Sequence, residues 1–192
     1  MAQAKKRKRF FDVEIPLINK ETQLQAYEIN ELDGRFMKYD LTRLIRGKGM
    51  ILVLKVKADK EKAIAIPKEV KLLPYFLKRM VRKGTNYVED SFLVKCKNAE
   101  VRIKPFLITR RKVSRAVRKA LRERTKEELT SYVEKKDFEE VFLEIINNRI
   151  QKQLSLKLKK IYPLSLCEIR VFTIEKFFTN EKISESENSK IK

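Results

Sequence analysis

TRRKVSRAVRKALRERT, residues 109–125, combines a helical hydrophobic period with a dense run of positive charge. Its single acid is Glu123, and its eight basic side chains are Arg110, Arg111, Lys112, Arg115, Arg118, Lys119, Arg122 and Arg124. At helical pitch, Arg111, Arg115, Arg118 and Arg122 share one face, and the opposite face carries Val113, Val117, Ala120 and Leu121. The spacing therefore predicts an amphipathic helix with an apolar side for the core and an arginine side for a partner.

The start of this predicted helix is electrostatically unfavourable. With Thr109 as the N-cap, Arg110, Arg111 and Lys112 occupy the first turn, where the helix dipole favours anions. A polyanion would relieve this, and phosphate matches best because a guanidinium group binds it in a bidentate manner. The alternative is a solvated basic face, which is the commoner outcome for a charge run. The excess of arginine over lysine favours phosphate binding here.

The whole chain shares this positive charge. Its 192 residues include 46 Lys and Arg against 26 Asp and Glu, a net charge of +20. Such an imbalance indicates nucleic acid or an anionic membrane as the partner. No apolar run approaches the roughly 20 residues of a membrane span, and Asp12 and Glu14 follow Phe10-Phe11 where a signal peptide would stay apolar. We therefore expect a cytoplasmic protein without a membrane partner.

Catalytic and metal chemistry find little support in the composition. Histidine is absent, which removes the commonest general base and any His-ligated metal. The four glycines fit neither GxxxxGK[ST] nor GxGxxG. The acidic pairs Glu127-Glu128 and Glu139-Glu140 are adjacent on predicted helices, so they are expected to face solvent. We predict no enzymatic activity, no cofactor and no small-molecule substrate. Cys96 and Cys167 are predicted to be buried free thiols.

The chain divides into three parts. Residues 1–9, MAQAKKRKR, form a basic arm that is expected to be disordered or to order along phosphates, although a nuclear-import signal would look the same. Residues 10–176 are predicted to form a single α+β domain, and residues 177–192 a disordered polar tail.

Within the domain, strands mostly precede helices, which predicts an α+β fold with an antiparallel, curled sheet. Hydrophobic alternation predicts strands at 10–15, 26–32, 50–56, 63–66, 91–96, 99–109 and 166–174. Helical periods predict helices at 72–83, from 109 onward, at 137–147 and at 149–160. Pro67 is predicted to end its strand, and Pro105 to mark an edge or a bulge.

Two more basic elements join the arginine helix in the predicted RNA-binding set. The helix at 72–83 is amphipathic and presents Arg79, Arg82 and Lys83 on its polar side. The arm contributes Lys5, Lys6, Arg7, Lys8 and Arg9. Charge spread over three elements suits a folded RNA, and phosphate contacts position a protein without reading sequence. The alternative is a DNA-binding protein of chromatin or transcription, because a long basic helix could enter a major groove.

Several motifs resemble one known family. They are MVRKGT at Met80–Thr85, the basic run from Arg110 to Arg122, KKIYPL at Lys159–Leu164, EIR at Glu168–Arg170 and DLT at Asp40–Thr42. Together they resemble the archaeal and eukaryotic small-subunit ribosomal protein family S-one-e, formerly S-three-a-e, over about residues 10–176.

The resemblance implies a structural ribosomal protein with a barrel-like β-sheet flanked by amphipathic helices. It implies small-subunit rRNA and neighbouring small-subunit ribosomal proteins as partners. It also implies a position on the platform of the small subunit, near the mRNA exit and the 3′ end of the rRNA, and no enzymatic activity.

Overall fold

A computed structural model describes residues 7–45, 47–59 and 62–178. The chain falls into two compact units. Unit 1 comprises Met1–Tyr39 and Leu52–Lys68, and unit 2 comprises Asp40–Ile51 and Glu69–Lys192. Residues 1–6 of the predicted arm and the tail from residue 179 lie outside the described part of the chain, and the domain boundaries stay predictions.

Unit 1 is built on a β-hairpin. Strands β1 (Arg9–Ile15) and β2 (Lys20–Ala26) pair antiparallel from Arg9–Ala26 to Ile15–Lys20, across a 3₁₀ turn at Pro16–Ile18. The unit also holds parts of β3 (Phe36–Asp40), β4 (Met50–Ala58) and β5 (Ala63–Leu72). β3 pairs with β4, β4 pairs with β5, and β1 pairs with β5 in parallel. Alternate side chains of these strands are buried and form the core of the unit: Val13, Ile15, Leu54, Val56 and Ala65.

Unit 2 contains the remaining strands and the helices. In chain order these are α1 (Pro74–Met80), β6 (Tyr87–Glu89), β7 (Phe92–Lys95), β8 (Ala99–Thr109), α2 (Arg115–Val133), α3 (Phe138–Ile146), α4 (Arg149–Leu158) and β9 (Leu164–Phe177). β8 is central, because β6, β7 and β9 all pair with it antiparallel. The β8–β9 pair runs from Ala99–Phe177 to Thr109–Leu164.

Helices α2, α3 and α4 cover part of this sheet. α2 and α3 each contact α4, and α4 contacts β9. The ring of Phe142 on α3 meets that of Phe172 on β9 edge to face, with centroids 4.8 Å apart and both side chains fully buried. Aromatic pairs of this geometry contribute about 0.5–1.5 kcal/mol beyond their buried area. The sheet and helices thus share one apolar core in unit 2.

The predicted α+β class is confirmed. In the described ranges, nine strands form a mixed, largely antiparallel sheet accompanied by four helices. The pairing path β2-β1-β5-β9-β8-β6 does not close, so the barrel-like shape implied by the resemblance is not confirmed. The parallel β1–β5 pair is the exception to the predicted antiparallel arrangement.

Three predicted elements were wrong in extent. Residues 26–32 are not a strand, because the Glu31 carboxylate accepts a hydrogen bond from the Tyr27 N–H at 3.0 Å and Ile29–Leu32 turn into a 3₁₀ helix. β5 continues through Pro67 to Leu72. Pro67 lies between the residues paired with β1 and those paired with β9, so its missing N–H interrupts neither the β1–β5 nor the β5–β9 ladder. The helix predicted at 72–83 is confined to Pro74–Met80.

Candidate nucleic-acid interface

The arginine helix begins later than the sequence predicted. Thr109 is the buried last residue of β8, and Arg110 and Arg111 form a bend. Ser114 is the N-cap of α2, since its Oγ accepts a hydrogen bond from the Val117 N–H at 3.4 Å. Arg110, Arg111 and Lys112 therefore lie in an exposed connection before the helix, and the predicted N-cap at Thr109 was wrong.

This connection is fixed by hydrogen bonds that Asn86 and Thr109 make with each other and with residues of the connection. The Thr109 N–H donates to the Asn86 carbonyl at 2.9 Å, and the Asn86 N–H donates to Thr109 Oγ1 at 3.0 Å. Asn86 Oδ1 accepts from the Val113 N–H at 2.8 Å, and Thr109 Oγ1 donates to the Arg111 carbonyl at 2.7 Å. We call these four bonds the Asn86–Thr109 junction. It anchors both ends of the basic connection.

The junction also brings two predicted basic segments together. Arg82 lies four residues before Asn86, and its carbonyl accepts hydrogen bonds from the Thr85 N–H at 3.4 Å and Thr85 Oγ1 at 2.7 Å. Gly84 completes this turn with a φ of +82°, a left-handed conformation that glycine adopts without strain. The connection that follows α1 and the connection that precedes α2 therefore leave from the same end of the β6–β8 pair.

Side chains of the α1 segment remain available at the surface. Arg79, Arg82 and Lys83 are exposed. The Arg79 guanidinium lies 5.7 Å from the centroid of the Phe76 ring, within range of a cation–π contact. Such a contact orients the side chain without neutralising its charge.

Helix α2 is buried along a line that winds around it. Leu121, Thr125, Leu129 and Val133 are buried and lie four residues apart. Each step of four residues advances roughly 40° beyond a full turn, so the buried line rotates along the helix. Arg115 and Arg122 are exposed in its first turns, as predicted from their spacing.

Arg118 departs from the predicted arginine face. Its side chain is half-buried, and its Nε is buried with no hydrogen-bond partner in the described part of the molecule. The position lies three residues before Leu121 and seven before Thr125, on the edge of the buried line. Its aliphatic stem therefore packs against the protein, and Arg118 is a weaker candidate for phosphate binding than Arg115.

Within the described residues, intramolecular ion pairs neutralise Lys119 and Arg124 of the basic run. Arg124 pairs with Glu127 at 3.2 Å and Glu128 at 2.6 Å, and Lys119 lies 3.7 Å from Glu123. Within residues 7–45, 47–59 and 62–178, Arg110, Arg111, Arg115 and Arg122 have no carboxylate at ion-pair distance. The first turn of α2 also carries no acid. These four guanidinium groups are therefore both exposed and without a carboxylate partner among the described residues.

The described residues of the N-terminal arm, Arg7 to Arg9, belong to unit 1. Lys5 and Lys6 fall outside the described residues. Arg7, Lys8 and Arg9 are exposed, and Arg9 opens β1 opposite Ala26. Lys8 Nζ lies 5.6 Å from the centroid of the Tyr27 ring. The role of the N-terminal arm in RNA binding stays a prediction.

The acidic residues and the cysteines also have defined places. Glu139 and Glu140 are exposed, as expected, but Glu128 is half-buried, and it pairs with both Lys157 and Arg124. The Lys157 hydrogen bond holds the pKa of Glu128 below its usual range. Cys96 and Cys167 are buried free thiols, as predicted, and burial raises the pKa of each to about 12.

Two absences hold for residues 7–45, 47–59 and 62–178. In this part of the chain, no helix combines the length and apolar character needed to cross a bilayer. No three acidic, cysteine or histidine side chains lie close enough together there to hold a metal ion.

Sequence reasoning missed Asn86 and Thr109 as organisers of the site. They lie 23 residues apart, and neither carries charge. The only available signal was the pairing of an asparagine just after MVRKGT with a threonine at a strand end. Local patterns do not reveal such a long-range pair.

Comparison with known proteins gives one consistent result. The family described as the ribosomal S3Ae family matches residues 2–177. A protein of Nanoarchaeum equitans named small ribosomal subunit protein eS1 is 31% identical over 180 residues, covering 88% of this chain and 90% of the relative. Proteins of the same name from Pyrobaculum islandicum and Methanothermobacter thermautotrophicus are 31% identical over 127 residues and 30% identical over 95 residues. These two matches cover 66% and 49% of this chain, and 57% and 49% of the relatives.

Proposed function

We propose, because this chain belongs to the ribosomal S3Ae family, that it is a structural constituent of the small ribosomal subunit and binds folded rRNA through phosphate contacts. The family resemblance predicted from the sequence motifs is thereby confirmed. The family is one of ribosomal proteins, which also confirms the prediction that the chain is not an enzyme.

The observation that carries the rRNA-binding proposal is a composite basic surface. We define it as Arg79, Arg82, Lys83, Arg110, Arg111, Lys112, Arg115 and Arg122, with Arg118 at its edge. The Asn86–Thr109 junction ties its two segments together, and the four arginines of the second segment lack carboxylate partners among the described residues. Guanidinium groups held in this way match the paired oxygens of phosphates along an RNA backbone.

Several finer features belong to the same proposal. The protein lies on the platform of the small subunit, near the mRNA exit and the 3′ end of the rRNA, as the family resemblance implies. The arm from Lys5 to Arg9 follows phosphates between rRNA segments. The exposed carboxylates of α3, Glu139 and Glu140, face solvent or a neighbouring ribosomal protein. The protein functions in the cytoplasm as part of the ribosome.

The alternative, a DNA-binding protein of chromatin or transcription, is less well supported. A recognition helix must lie along a major groove and present base-reading side chains over its length. The C-terminal half of α2 instead packs inward through Thr125, Leu129 and Val133. Arg115 and Arg122, the exposed arginines of α2 without a carboxylate partner among the described residues, lie in its first turns, which suits contacts to phosphates. Competition between duplex DNA and small-subunit rRNA tests this choice, and a preference for DNA would favour the alternative.

The salt dependence of rRNA binding tests the proposed surface. Each phosphate contact contributes about 0.7–0.9 to the slope of log K against log salt concentration. Arg115→Ala and Arg122→Ala should each reduce the magnitude of this slope by about 0.7–0.9. Arg118→Ala should reduce it less, because this side chain is half-buried. Affinity for an rRNA fragment is measured at several salt concentrations.

Arg124→Ala is the matched control on the same helix. Its guanidinium is already paired with Glu127 and Glu128, so its removal should leave the slope unchanged. If Arg124→Ala lowers the slope as much as Arg115→Ala, the charge acts without a defined surface. If none of these variants changes the slope, α2 does not bind the rRNA. Co-sedimentation of the chain with small subunits tests the ribosomal role independently.

A further inference from the structure

An apolar groove lies in unit 2 between α1 and the β6 end of the sheet. Its volume is about 440 Å³, within the range of about 300–1,000 Å³ typical of small-ligand sites. Leu77 and Val81 line the α1 side, and Tyr87 and Phe106 line the sheet side. Val81 and Tyr87 remain 40% and 56% exposed. Large apolar side chains are thus left partly uncovered at one place.

Tyr87 is held as a flat platform in this groove. Its ring lies nearly parallel to that of Phe106, with an angle of 24° and a centroid distance of 6.0 Å. Phe106 is buried, whereas more than half of Tyr87 is exposed. The pairing of Tyr87 with Ile108 and of Glu89 with Phe106 in the β6–β8 ladder holds the backbone of both residues in the sheet. The Tyr87 ring rests against Phe106 on one side, so a flat group can stack on its exposed side.

The charges at the rim favour an anionic occupant. Lys78 and Arg170 line the groove together with a single acid, Glu89. Glu89 accepts a hydrogen bond from the Arg170 guanidinium at 3.0 Å, so this pair is neutral and Lys78 supplies the surplus charge. A peptide that inserted an apolar side chain here would have to bring its own acids to match Lys78. A nucleotide carries both an apolar flat base and a phosphate.

The groove is also continuous with the composite basic surface. Tyr87 directly follows Asn86 of the Asn86–Thr109 junction, and Val81 directly precedes Arg82. An RNA strand whose phosphates lie on Arg82, Lys83 and Arg110 therefore passes the mouth of the groove.

We propose that this groove holds one unpaired base of the bound RNA, stacked on Tyr87 with its phosphate near Lys78. This inference rests on the proposed function and adds a single-stranded element to it. Duplex RNA cannot fill the groove, because its bases are stacked within the helix, whereas unpaired nucleotides can turn a base outward onto an aromatic ring. The groove thereby selects an rRNA segment with a bulge, loop or end at this position.

A single-tryptophan variant tests occupancy directly. The chain contains no tryptophan, so Tyr87→Trp provides one fluorophore at the floor of the groove. A single-stranded RNA oligonucleotide should quench this fluorescence saturably, and a duplex of the same sequence should not. Phe36→Trp is the matched control, because Phe36 is 59% exposed and lies in unit 1, outside the groove lining. Its fluorescence should change little with either RNA.

Two further variants separate stacking from charge. Tyr87→Leu should weaken binding of the single-stranded oligonucleotide about tenfold, within the range known for loss of one stacked base. Tyr87→Phe keeps the ring and should bind as the unchanged protein does. Neither variant alters charge, so both should keep the salt slope. Circular dichroism of each variant confirms that the fold is retained.

The outcomes distinguish this inference from the proposed function. If the fluorescence of the Tyr87→Trp variant is not quenched while Arg115→Ala still lowers the salt slope, the groove holds no base and the phosphate surface stands. If quenching comes instead from another small-subunit protein, the groove is a protein-docking site and the inference fails. If the chain binds no RNA at any salt concentration, both proposals fall.

Discussion

Replacing Asn86 by alanine should weaken rRNA binding although Asn86 carries no charge. The side chain contributes one hydrogen bond to the junction, from the Val113 N–H to Oδ1 at 2.8 Å. The other three bonds use backbone atoms of Asn86 or the side chain of Thr109, so the β6–β8 pairing is retained. The substitution therefore releases one end of the basic connection at residues 110–114 and leaves the rest of unit 2 in place.

The expected loss of stability follows from this single bond. A typical hydrogen bond contributes about 0.5–1.5 kcal/mol net, and a buried donor left without a partner costs about 1–3 kcal/mol. The Asn86–Val113 bond is partly buried, so the free energy of unfolding should fall by about 1–2 kcal/mol. Fixing the backbone of one residue costs a similar amount, about 1–2 kcal/mol. If RNA must re-order one or two residues of the connection, affinity should fall about tenfold or more.

Urea unfolding and rRNA binding at several salt concentrations measure the two effects. The number of phosphate contacts does not change, so Asn86→Ala should lower affinity at every salt concentration and keep the slope of log K against log salt. Asn98→Ala, in the β7–β8 turn of the same unit, is the matched control and should alter neither quantity by much. Unchanged affinity with reduced stability would show that the junction does not position the arginines. A reduced slope would show that contacts, and not order, were lost.

Two other predictions concern buried groups of unit 2. Burial raises the pKa of Glu168 although the Lys48 ammonium lies 2.5 Å away. A raised pKa means that the folded state binds the proton more tightly than the unfolded state. The carboxyl therefore stabilises the fold below about pH 4.5 and loses that contribution as pH rises through its raised pKa. Lys48→Met should therefore cost about 3–5 kcal/mol at pH 8 and clearly less at pH 5; equal losses in urea unfolding at both pH values would contradict this. Burial also raises the pKa of Cys96 and Cys167 to about 12, so a thiol reagent at pH 8 should label them only after unfolding, and fast labelling of the native protein would refute it.

Elements with a strong local pattern could be predicted from the sequence. The β7–β8 hairpin, α3, α4 and β9 were predicted close to their observed bounds. The irregularity expected at Pro105 is present as a register shift between Lys104 and Pro105. In each case, the hydrophobic period and the turn residues lie within one short segment, so no knowledge of the tertiary structure is needed.

Elements that depend on a distant partner could not be predicted. β6 has only three residues, Tyr87–Glu89, and it is a strand because it pairs with Phe106–Ile108 of β8. β2 reads KETQLQA and is largely polar, and within it only Ala26 is fully buried. Its strand conformation comes from pairing with β1. Short or polar strands of this kind take their structure from the neighbouring strand.

The same division applies to the site. Arginine and lysine positions are visible in the sequence, and so the basic segments were identified. The first residue of α2 was not predicted correctly, because Thr109 is suited both to a helix N-cap and to a strand end. Thr109 pairs with Leu164 of β9 and forms hydrogen bonds with Asn86, and these contacts make it the last residue of a strand. The positions of the charged residues were therefore predicted more accurately than the secondary structure in which they lie.

The rotation of the buried line on α2 limits how much of this helix the proposed RNA-binding surface can use. Arg115 and Val133 are 18 residues apart, about five turns, so they lie on the same side of the helix. This side is exposed at Arg115 and fully packed at Val133. An arginine ridge along one side of α2 can therefore extend no further than about Arg122, and Arg124 is already turned toward Glu127 and Glu128. Two exposed turns are short for a folded RNA, and the Asn86–Thr109 junction extends the surface by adding the connection before α2 and the end of α1.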